Sequence, residues 1–328
     1  MLKRIRESIL KTFYSFDDVT DLSKLSSLAL KFKRAPLHKK SIGEEKTLGL
    51  VFLNPSLRTR ISTQKAAMNL GVQTIILNIE KEGWGLETEE GTVMKGTAGE
   101  HIKEAAAVLG EYCDLIGIRS FATLKDKKED YLDKVFTGFR EYCNVPIINL
   151  ESTLYHPLQG FADLITILET KTSTKPKIVL TWAPHPKSLP HAVPNSFCKW
   201  MLGAGFDLSI ACPKGYELDP QIVGPIKQLN NQNLALEGAD YVYAKNWSSI
   251  ENYGVNSCTD PSWMLDDKKM GLTKQGKFMH CLPIRRNVVA TDSVIDSTTS
   301  LIKNQANNRV YATQAILYNL IQGLNDYE

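Results

Sequence analysis

Short apolar runs recur along the chain, and each has the length of a buried β-strand. The eight runs are found at 47–52, 73–79, 114–120, 145–150, 177–183, 207–213, 240–246 and 277–283. Segments with the apolar spacing of a helix lie between and after them, at 59–70, 99–112, 159–170, 194–202 and 310–324. Near-continuously apolar strands that alternate with helices are typical of parallel sheets covered on both faces. The pattern therefore predicts an α/β fold with doubly wound parallel sheets.

The predicted strands form two groups of four, and a chain of 328 residues suffices for two α/β domains of about 150 residues each. We predict a first domain over 1–152, a second over 153–305 and a C-terminal helix over 306–328 that packs back on the first domain. Ligands of such sheets bind outside the carboxyl ends of the strands. We therefore expect the functional site in the cleft between the two domains.

Charge and apolar content narrow the class of protein. The chain carries 39 basic and 36 acidic residues, and its net charge of +3 gives no global field that would attract nucleic acid or an anionic membrane. The apolar runs are far shorter than the roughly 20 residues of a membrane-spanning helix, and the basic N-terminus lacks the apolar core of a signal peptide. We expect a cytoplasmic protein that binds neither nucleic acid nor membrane.

The six cysteines are scattered, and no two of them form a Cys-x-x-Cys pair. This distribution argues against a zinc site and against a disulfide framework. Cys281 differs from the others because it follows His280 at the end of the last predicted strand. A thiol nucleophile is one interpretation, but neighbouring residues of a strand project to opposite faces, which disfavours it.

The segment Phe-Leu-Asn-Pro-Ser-Leu-Arg-Thr-Arg at 52–60 joins the first predicted strand to a helix. Ser56 is a plausible N-cap, so backbone N–H groups and the positive end of the helix dipole collect there. Arg58 adds a planar fork that suits phosphate oxygens, and the hydroxyl of Thr59 can donate as well. The segment therefore predicts a site for a phosphorylated small molecule. A capped helix start with solvated arginines is the alternative.

Polar side chains also follow other predicted strands. These residues are Arg119, Glu151 with His156, His185, Lys245 and Cys281. Because the carboxyl ends of parallel strands meet at one edge of a sheet, we expect them to belong to the same functional site.

Three motifs occur in the order in which one enzyme family carries them. They are Ser-Leu-Arg-Thr-Arg at 56–60, His-Pro-Leu-Gln at 156–159 and His-Cys-Leu-Pro at 280–283. With these motifs the chain resembles the aspartate/ornithine carbamoyltransferases. The resemblance implies a carbamoyl-phosphate domain followed by an amino-acid-binding domain. It also implies a homotrimer in which a loop of the neighbouring subunit completes each site, and a reaction that needs neither metal nor cofactor.

Departures from the commoner members indicate a subfamily. Leu57 stands where ornithine and aspartate enzymes usually have Thr, and the Ser-Met-Gly loop of ordinary ornithine enzymes is absent. The chain has Trp-Ala-Pro-His-Pro at 182–186, Tyr-Ala-Lys-Asn-Trp at 243–247 and Trp-Gly-Leu-Glu at 84–87 instead. These segments resemble the N-acylornithine carbamoyltransferases, which act on N-acetyl- or N-succinyl-L-ornithine in arginine biosynthesis.

Gly99 bears on the choice between the two acyl groups. Members that resemble the acetyl enzymes carry a glutamate at the aligned position, and succinyl enzymes carry a proline. A carboxylate there would repel the succinyl carboxylate and fill its space, whereas glycine does neither. We therefore favour N-succinyl-L-ornithine, with N-acetyl-L-ornithine as the alternative. A shift of the alignment by one residue would make Glu100 the deciding residue.

The resemblance also implies roles for single residues. Four of them are assigned to catalysis: His156, Arg119, Arg58 and Cys281. Carbamoyl phosphate is assigned to Ser56, Leu57, Arg58, Thr59, Trp84, Arg119, His156, Gln159, Cys281, Leu282 and Arg285. In this scheme His156 donates to the carbonyl oxygen, Gln159 contacts the carbamoyl amide, and Cys281 and Leu282 offer backbone carbonyls to it. Trp84 comes from a neighbouring subunit.

A second set is assigned to the acylornithine. It consists of Glu151, His185, Lys245, Arg309 and Gly99. Lys245 and Arg309 would supply positive charge for the carboxylates, although a lone Lys or Arg is ordinarily a surface residue. Arg285 with Arg286 could likewise be a solvated pair.

Three other functions remain open at this point. A carbamoyltransferase for ornithine, putrescine or another amine is the nearest. A non-catalytic, anion-binding paralogue belongs to a different class, and the presence of His156, Arg58 and Arg119 disfavours it. A nicotinamide enzyme is disfavoured because no Gly-x-Gly-x-x-Gly follows a predicted strand.

Overall fold

The computed structural model describes residues 12–325 of the chain. The strands are β1 (Thr12–Phe13), β2 (Thr47–Phe52), β3 (Gln73–Asn78), β4 (Gly85–Glu87), β5 (Ala98–His101), β6 (Leu115–Arg119), β7 (Ile147–Glu151), β8 (Lys177–Trp182), β9 (Asp207–Ala211), β10 (Lys227–Leu229), β11 (Tyr241–Lys245) and β12 (Lys277–Met279). Short 3₁₀ turns cover Phe16–Asp18, Lys40–Gly43 and Pro261–Trp263.

Helices connect most of these strands. They are α1 (Leu22–Arg34), α2 (Leu57–Leu70), α3 (Ile79–Glu82), α4 (Ile102–Tyr112), α5 (Lys127–Tyr131), α6 (Lys134–Tyr142), α7 (Pro157–Thr170), α8 (Ala192–Gly203), α9 (Pro220–Val223), α10 (Gln232–Leu236), α11 (Asp267–Met270), α12 (Asp292–Ile295) and α13 (Ile302–Asn325). Within residues 12–325, no helix is both long and apolar enough to cross a membrane.

The described chain divides into two compact units. The first consists of residues 12–122, 129–158 and 309–325, and the second of residues 123–128 and 159–308. Helix α13 contributes residues to both. The domain limits that the sequence suggested, at 152 and 305, stay a prediction.

The first unit contains a five-stranded sheet in the order β1-β7-β6-β2-β3, in which all neighbours pair in parallel. Its inner strands are almost wholly apolar, and Leu48, Leu50, Ile116 and Ile148 have no exposed surface. Burial on both faces explains why β2, β6 and β7 appear in the sequence as continuous apolar runs. Strands β4 and β5 form a separate parallel pair.

The second unit contains another parallel sheet, in the order β10-β9-β8-β11-β12. Trp182 and Tyr243 at its centre have no exposed surface, and the indole of Trp182 donates to the backbone carbonyl of Trp247 at 3.0 Å. All eight predicted strands are present, so the prediction of doubly wound parallel sheets is confirmed.

Candidate active site

The first unit places its polar strand ends at the point where the order of strands reverses. From β2 the chain proceeds to β3 on one side and later to β6 and β7 on the other. Such a switch point opens a crevice at the carboxyl ends of the flanking strands. Asn54 to Thr59 follow β2, Arg119 ends β6 and Glu151 ends β7. The three segments are therefore brought together at one edge of the sheet.

Ser56 is the N-cap of helix α2, as predicted. Its hydroxyl accepts a hydrogen bond from the backbone N–H of Thr59 at 3.2 Å. The cap leaves the other first-turn N–H groups directed out of the helix, next to the positive end of its dipole. The side chain of Leu57 is 71% exposed, so this residue offers the site its backbone rather than its side chain.

Two guanidinium groups lie close to this helix start. The buried Nε of Arg58 has no hydrogen-bond partner within the part of the chain that the structure describes. Burial lowers the pKa of Arg119, and the charge of Arg58 lowers it further while Glu151 opposes the shift. Two guanidinium groups that repel each other beside a helix N-terminus form a site suited to an anion.

Arg119 is held by groups from two strand ends. Its Nη1 donates to the backbone carbonyls of Asn54 and Pro55 at 2.8 and 2.7 Å, and its Nη2 lies 3.1 Å from Glu151 Oε2. A register shift between Ile118 and Arg119 sets Arg119 directly opposite Glu151. The side chain is only 5% exposed. Its direction is therefore fixed by four polar contacts, counting its Nε at 3.3 Å from the same carboxylate oxygen.

His156 immediately precedes helix α7 and is 3% exposed. Its Nε2 lies 3.5 Å from Glu151 Oε2, the same oxygen that holds Arg119. Glu151 therefore links Arg119 to His156, which the resemblance assigned to the carbonyl oxygen. The sequence had assigned Glu151 to the acylornithine instead, and its position beside Arg119 and His156 favours a supporting role.

Arg309 reaches the helix start from the other end of the sequence. It lies on α13, is 4% exposed, and donates from Nη2 to Thr59 Oγ1 at 2.8 Å. The sequence had assigned Arg309 to the acylornithine, whereas the structure places it against Thr59 in the segment that was predicted to bind phosphate. Asn54, which the sequence did not single out, accepts from the backbone N–H of Phe121 at 2.6 Å and so ties this segment to β6.

The second unit has a switch point of its own, between β8 and β11. His185 follows β8 and Lys245 ends β11. Arg285 Nε donates to His185 Nε2 at 3.1 Å, so the ring carries its proton on Nδ1, which lies 2.7 Å from the carbonyl of Lys187. Burial lowers the pKa of His185, and the charges of Lys245, Arg285 and Lys187 act in the same direction. This cluster is cationic around a neutral imidazole, which suits a ligand with carboxylates. Arg286, which is 49% exposed, is paired with Asp292 and Asp296 at the surface.

Gln159 and the His-Cys-Leu-Pro segment meet at a buried carboxylate. Gln159 Nε2 donates to Asp163 Oδ1 at 2.7 Å. Cys281 follows β12. Burial raises the pKa of Tyr243, and the neighbouring Asp163 and Cys281 raise it further. Leu282 adopts φ +58°, and its N–H donates to His280 Nδ1 at 2.9 Å. The backbone after His280 is thus turned away from the sheet.

Trp84 precedes β4 and is 58% exposed. Its indole Nε1 donates to Glu100 Oε2 at 2.9 Å. Gly99 lies under the ring, and a Cβ at this position would come within 2.7 Å of Trp84 Cγ. The exposed indole is thus held by one hydrogen bond and by close packing on Gly99.

Two family models match the chain. The carbamoyl-P binding domain of aspartate/ornithine carbamoyltransferase matches residues 11–169, and the Asp/Orn binding domain of the same family matches residues 191–320. The chain belongs to the aspartate/ornithine carbamoyltransferase family. The prediction of this family and of its fold is therefore confirmed.

Individual carbamoyltransferases resemble this family member over nearly its whole length. The N-succinylornithine carbamoyltransferase of Bacteroides thetaiotaomicron is 45% identical and covers 96% of this chain and 100% of its own. The N-acetylornithine carbamoyltransferase of Xanthomonas campestris pv. campestris is 38% identical. The match covers 95% of this chain and 98% of that protein. A crystal structure of an N-acetyl-L-ornithine transcarbamylase mutant, complexed with carbamyl phosphate and N-succinyl-L-norvaline, superimposes with a TM-score of 0.89 at 38% identity, covering 95% of this chain and 100% of that one.

Proposed function

We propose that this carbamoyltransferase transfers the carbamoyl group of carbamoyl phosphate to the δ-amine of N-succinyl-L-ornithine. The products are N-succinyl-L-citrulline and phosphate, and the reaction belongs to arginine biosynthesis. N-acetyl-L-ornithine is the alternative acceptor. The bond that forms joins the δ-nitrogen to the carbamoyl carbon, the bond that breaks joins that carbon to the phosphate oxygen, and the amine loses a proton.

The observation that carries the proposal is the pair Arg58 and Arg119 at the N-terminus of α2. Arg58 has an unsatisfied buried Nε, and Arg119 is directed to the same place by the Asn54 and Pro55 carbonyls. A phosphate bound there would accept from the guanidinium groups, the free backbone N–H groups of the first turn and the hydroxyls of Ser56 and Thr59. Each charge-assisted hydrogen bond contributes about 1.5–3 kcal/mol.

His156 and Arg119 are proposed to bind the carbonyl oxygen of carbamoyl phosphate. Negative charge develops on this oxygen in the tetrahedral intermediate, and donors aimed at it lower the barrier more than they stabilise the substrate. Glu151 contacts both side chains, which supports the view that it orients them. Gln159, with the carbonyls of Cys281 and Leu282, is proposed to accept from the carbamoyl amide, and no thiol nucleophile takes part.

His185 and Lys245 are proposed to bind the acylornithine. Arg285, which the sequence assigned to carbamoyl phosphate, is proposed to join them because it contacts His185. The positive charges of Lys245 and Arg285 near the neutral ring of His185 support binding of a dicarboxylate such as succinylornithine. Both ring nitrogens of His185 are engaged, so we assign the ring the role of holding Arg285 rather than a role in proton transfer. The family resemblance, rather than this geometry, names ornithine as the rest of the acceptor.

The choice of the succinyl group is supported by Gly99 and Glu100. The carboxylate of Glu100 accepts from the indole N–H of Trp84, which fixes its direction. Gly99 carries no carboxylate that would repel the succinyl carboxylate, and its missing side chain lets the indole of Trp84 pack against the backbone. The greater identity to a succinylornithine enzyme, 45% against 38% for an acetylornithine enzyme, agrees with this choice.

We propose that the protein acts in the cytoplasm as a homotrimer, with Trp84 completing a neighbouring site. An apolar stripe on α2 supports association, since Leu57, Ile61 and Met68 are 71, 57 and 60% exposed and follow helical spacing. Light scattering after gel filtration would test it, and we expect a mass three times the 36.7 kDa of one chain.

The deciding experiment is an assay of citrulline formation from carbamoyl phosphate with three acceptors: N-succinyl-L-ornithine, N-acetyl-L-ornithine and L-ornithine. We expect the succinyl compound to have the highest kcat/KM. A preference for the acetyl compound would overturn the acyl assignment, and turnover of free ornithine would overturn the subfamily. Binding of carbamoyl phosphate without turnover of any acceptor would favour a non-catalytic paralogue.

A further inference from the structure

Asp163 is a buried carboxylate to which no role has been assigned so far. It lies one turn after Gln159 on helix α7 and has no exposed surface. Two amide side chains converge on it. Gln159 Nε2 and Gln305 Nε2 donate to Oδ1 at 2.7 and 2.8 Å. Burial raises the pKa of the nearby Tyr243 hydroxyl, and Asp163 raises it further.

The carboxylate determines which end of the Gln159 amide is available to a ligand. Oδ1 of Asp163 accepts from Nε2 of Gln305 and of Gln159, so the amide atom of Gln159 that faces it is nitrogen. The Gln159 amide is thereby held with Oε1 turned away from Asp163. An acceptor in this direction suits the NH₂ of a carbamoyl group and not a carbonyl oxygen.

Gln305 connects Asp163 to the His-Cys-Leu-Pro segment and fixes the position of its backbone. Its Nε2 is bound to Asp163, and its Oε1 accepts from the backbone N–H of His280 at 2.9 Å. His280 in turn accepts at Nδ1 from the N–H of Leu282. Three hydrogen bonds of fixed direction thus connect Asp163 to Leu282, beside the backbone carbonyls of Cys281 and Leu282.

We propose that Asp163 is a positioning residue that sets the Gln159 amide oxygen and the Cys281–Leu282 carbonyls together as acceptors for the NH₂ of carbamoyl phosphate. The inference rests on the proposed function for the identity of the ligand. It adds that recognition of the amide, as distinct from recognition of the phosphate, depends on one carboxylate that does not touch the substrate.

Acetyl phosphate provides the test, because it carries a methyl group where carbamoyl phosphate carries NH₂. Binding of each compound to the full-length protein would be measured by isothermal titration calorimetry for the wild type and for Asp163→Leu, which has a similar shape and no acceptor. We expect the affinity for carbamoyl phosphate to fall by roughly ten- to a hundredfold, as for the loss of two or three oriented hydrogen bonds, with the affinity for acetyl phosphate changed by less than about twofold.

A second pair of variants keeps the test decisive if Asp163→Leu does not fold. Asp163→Asn retains an oxygen that can accept from both glutamines, and we expect it to recover most of the preference for carbamoyl over acetyl phosphate. Gln305→Met cuts only the connection to His280, and we expect a partial loss of the preference. Thermal unfolding of each variant would accompany the titrations.

Equal losses for both phosphates would mean that Asp163 is structural, and unchanged affinities would remove the role altogether. Either result overturns the inference without touching the proposed reaction. Conversely, if the wild type prefers carbamoyl over acetyl phosphate but forms no citrulline compound, the proposed function fails and the role of Asp163 stands.

Discussion

Trp84 lies directly over Gly99, so closely that an added Cβ would be 2.7 Å from Cγ of the indole. A side chain at position 99 would have to displace either the indole ring of Trp84 or strand β5 itself. Gly99 therefore has a role beyond leaving space for an acyl group. It allows Trp84 to lie flat against β5 while Glu100 holds the indole nitrogen.

Gly99→Glu should displace Trp84 and place a carboxylate beside the proposed acyl pocket. We expect kcat/KM for N-succinyl-L-ornithine to fall by on the order of a hundredfold, and the ratio of acetyl to succinyl turnover to rise, because like charges at close range repel. Gly96→Glu is the matched control, since a Cβ at Gly96 meets nothing within 4 Å.

Acrylamide quenching of tryptophan fluorescence reports the displacement separately from activity. Trp84 is 58% exposed, whereas Trp182, Trp200 and Trp247 have no exposed surface. The quenchable fraction should therefore change in Gly99→Glu and stay constant in Gly96→Glu. If neither quenching nor the acceptor ratio changed, the contact between Gly99 and Trp84 would have no functional meaning.

The parts of this structure that the sequence predicted are those that depend on local pattern. Buried parallel strands are apolar on both faces, so β2, β6, β7, β8 and β11 were recognisable. Strands β1, β4, β5 and β10 were missed, because they are two to four residues long and carry no apolar run. The N-cap at Ser56 followed from a local rule and is confirmed.

Contacts between segments that are distant in the sequence could not be predicted from local patterns. Arg309 and Thr59 are 250 positions apart, and no periodicity relates them. Glu151 was expected to contact the acylornithine, because the register shift at Arg119 that pairs it with the guanidinium has no signature in the sequence. Asp163 lay inside an apolar helical pattern that hid its polar partners.

The contact of Arg309 with Thr59 predicts which substrate depends on Arg309. We expect Arg309→Met to raise the KM for carbamoyl phosphate at least tenfold and to leave the KM for the acylornithine within about twofold, because a lost charge-assisted hydrogen bond contributes about 1.5–3 kcal/mol. In a double-mutant cycle with Thr59→Val, the coupling should be on the order of 1–2 kcal/mol. A rise confined to the acylornithine KM would restore the role that the sequence assigned.

Arg119→Lys keeps the charge and removes the planar fork. A lysine cannot reach the Asn54 and Pro55 carbonyls and Glu151 at once, so we expect kcat to fall by about a hundred- to a thousandfold. We expect the free energy of unfolding to fall by on the order of 1–3 kcal/mol, because buried acceptors lose their donors. Arg286→Lys is the control, since its pairs with Asp292 and Asp296 are exposed and should contribute about 1 kcal/mol or less. Comparable effects of both substitutions would contradict the positioning of Arg119.

His191 predicts a dependence of stability on pH. Burial lowers its pKa from 6.5 to about 4, and its Nε2 donates to the carbonyl of Ser248 at 2.7 Å. The native state keeps the ring neutral while the unfolded chain binds a proton below about pH 6.5. The contribution of His191 to the stability of the native state is therefore complete above about pH 6.5. As the pH falls toward 4, this contribution is lost and the free energy of unfolding decreases by on the order of 3 kcal/mol.

Urea unfolding of the wild type and of His191→Gln between pH 7.5 and about 4 would measure this contribution. Glutamine can still donate to the Ser248 carbonyl but does not titrate, so the variant should lose less stability on acidification than the wild type. His38→Gln replaces an exposed histidine and should follow the wild type. If stability changed with pH in the same way in the wild type and in His191→Gln, the buried ring would not be the source of the pH dependence.

Mixing of inactive variants tests whether Trp84 completes the site of another subunit. His156→Ala removes the proposed carbonyl donor, and Trp84→Ala removes the exposed indole, so each homo-oligomer should be nearly inactive. If Trp84 acts across the interface, a site with an intact His156 and a neighbour with an intact Trp84 forms only in mixed oligomers. Unfolding equal amounts of the two variants together and refolding them should then restore up to about a quarter of the wild-type activity. In random assembly about half of the subunits have an intact His156, and about half of their neighbours have an intact Trp84. No recovery, with mixed oligomers detected by mass spectrometry, would place Trp84 in the site of its own subunit.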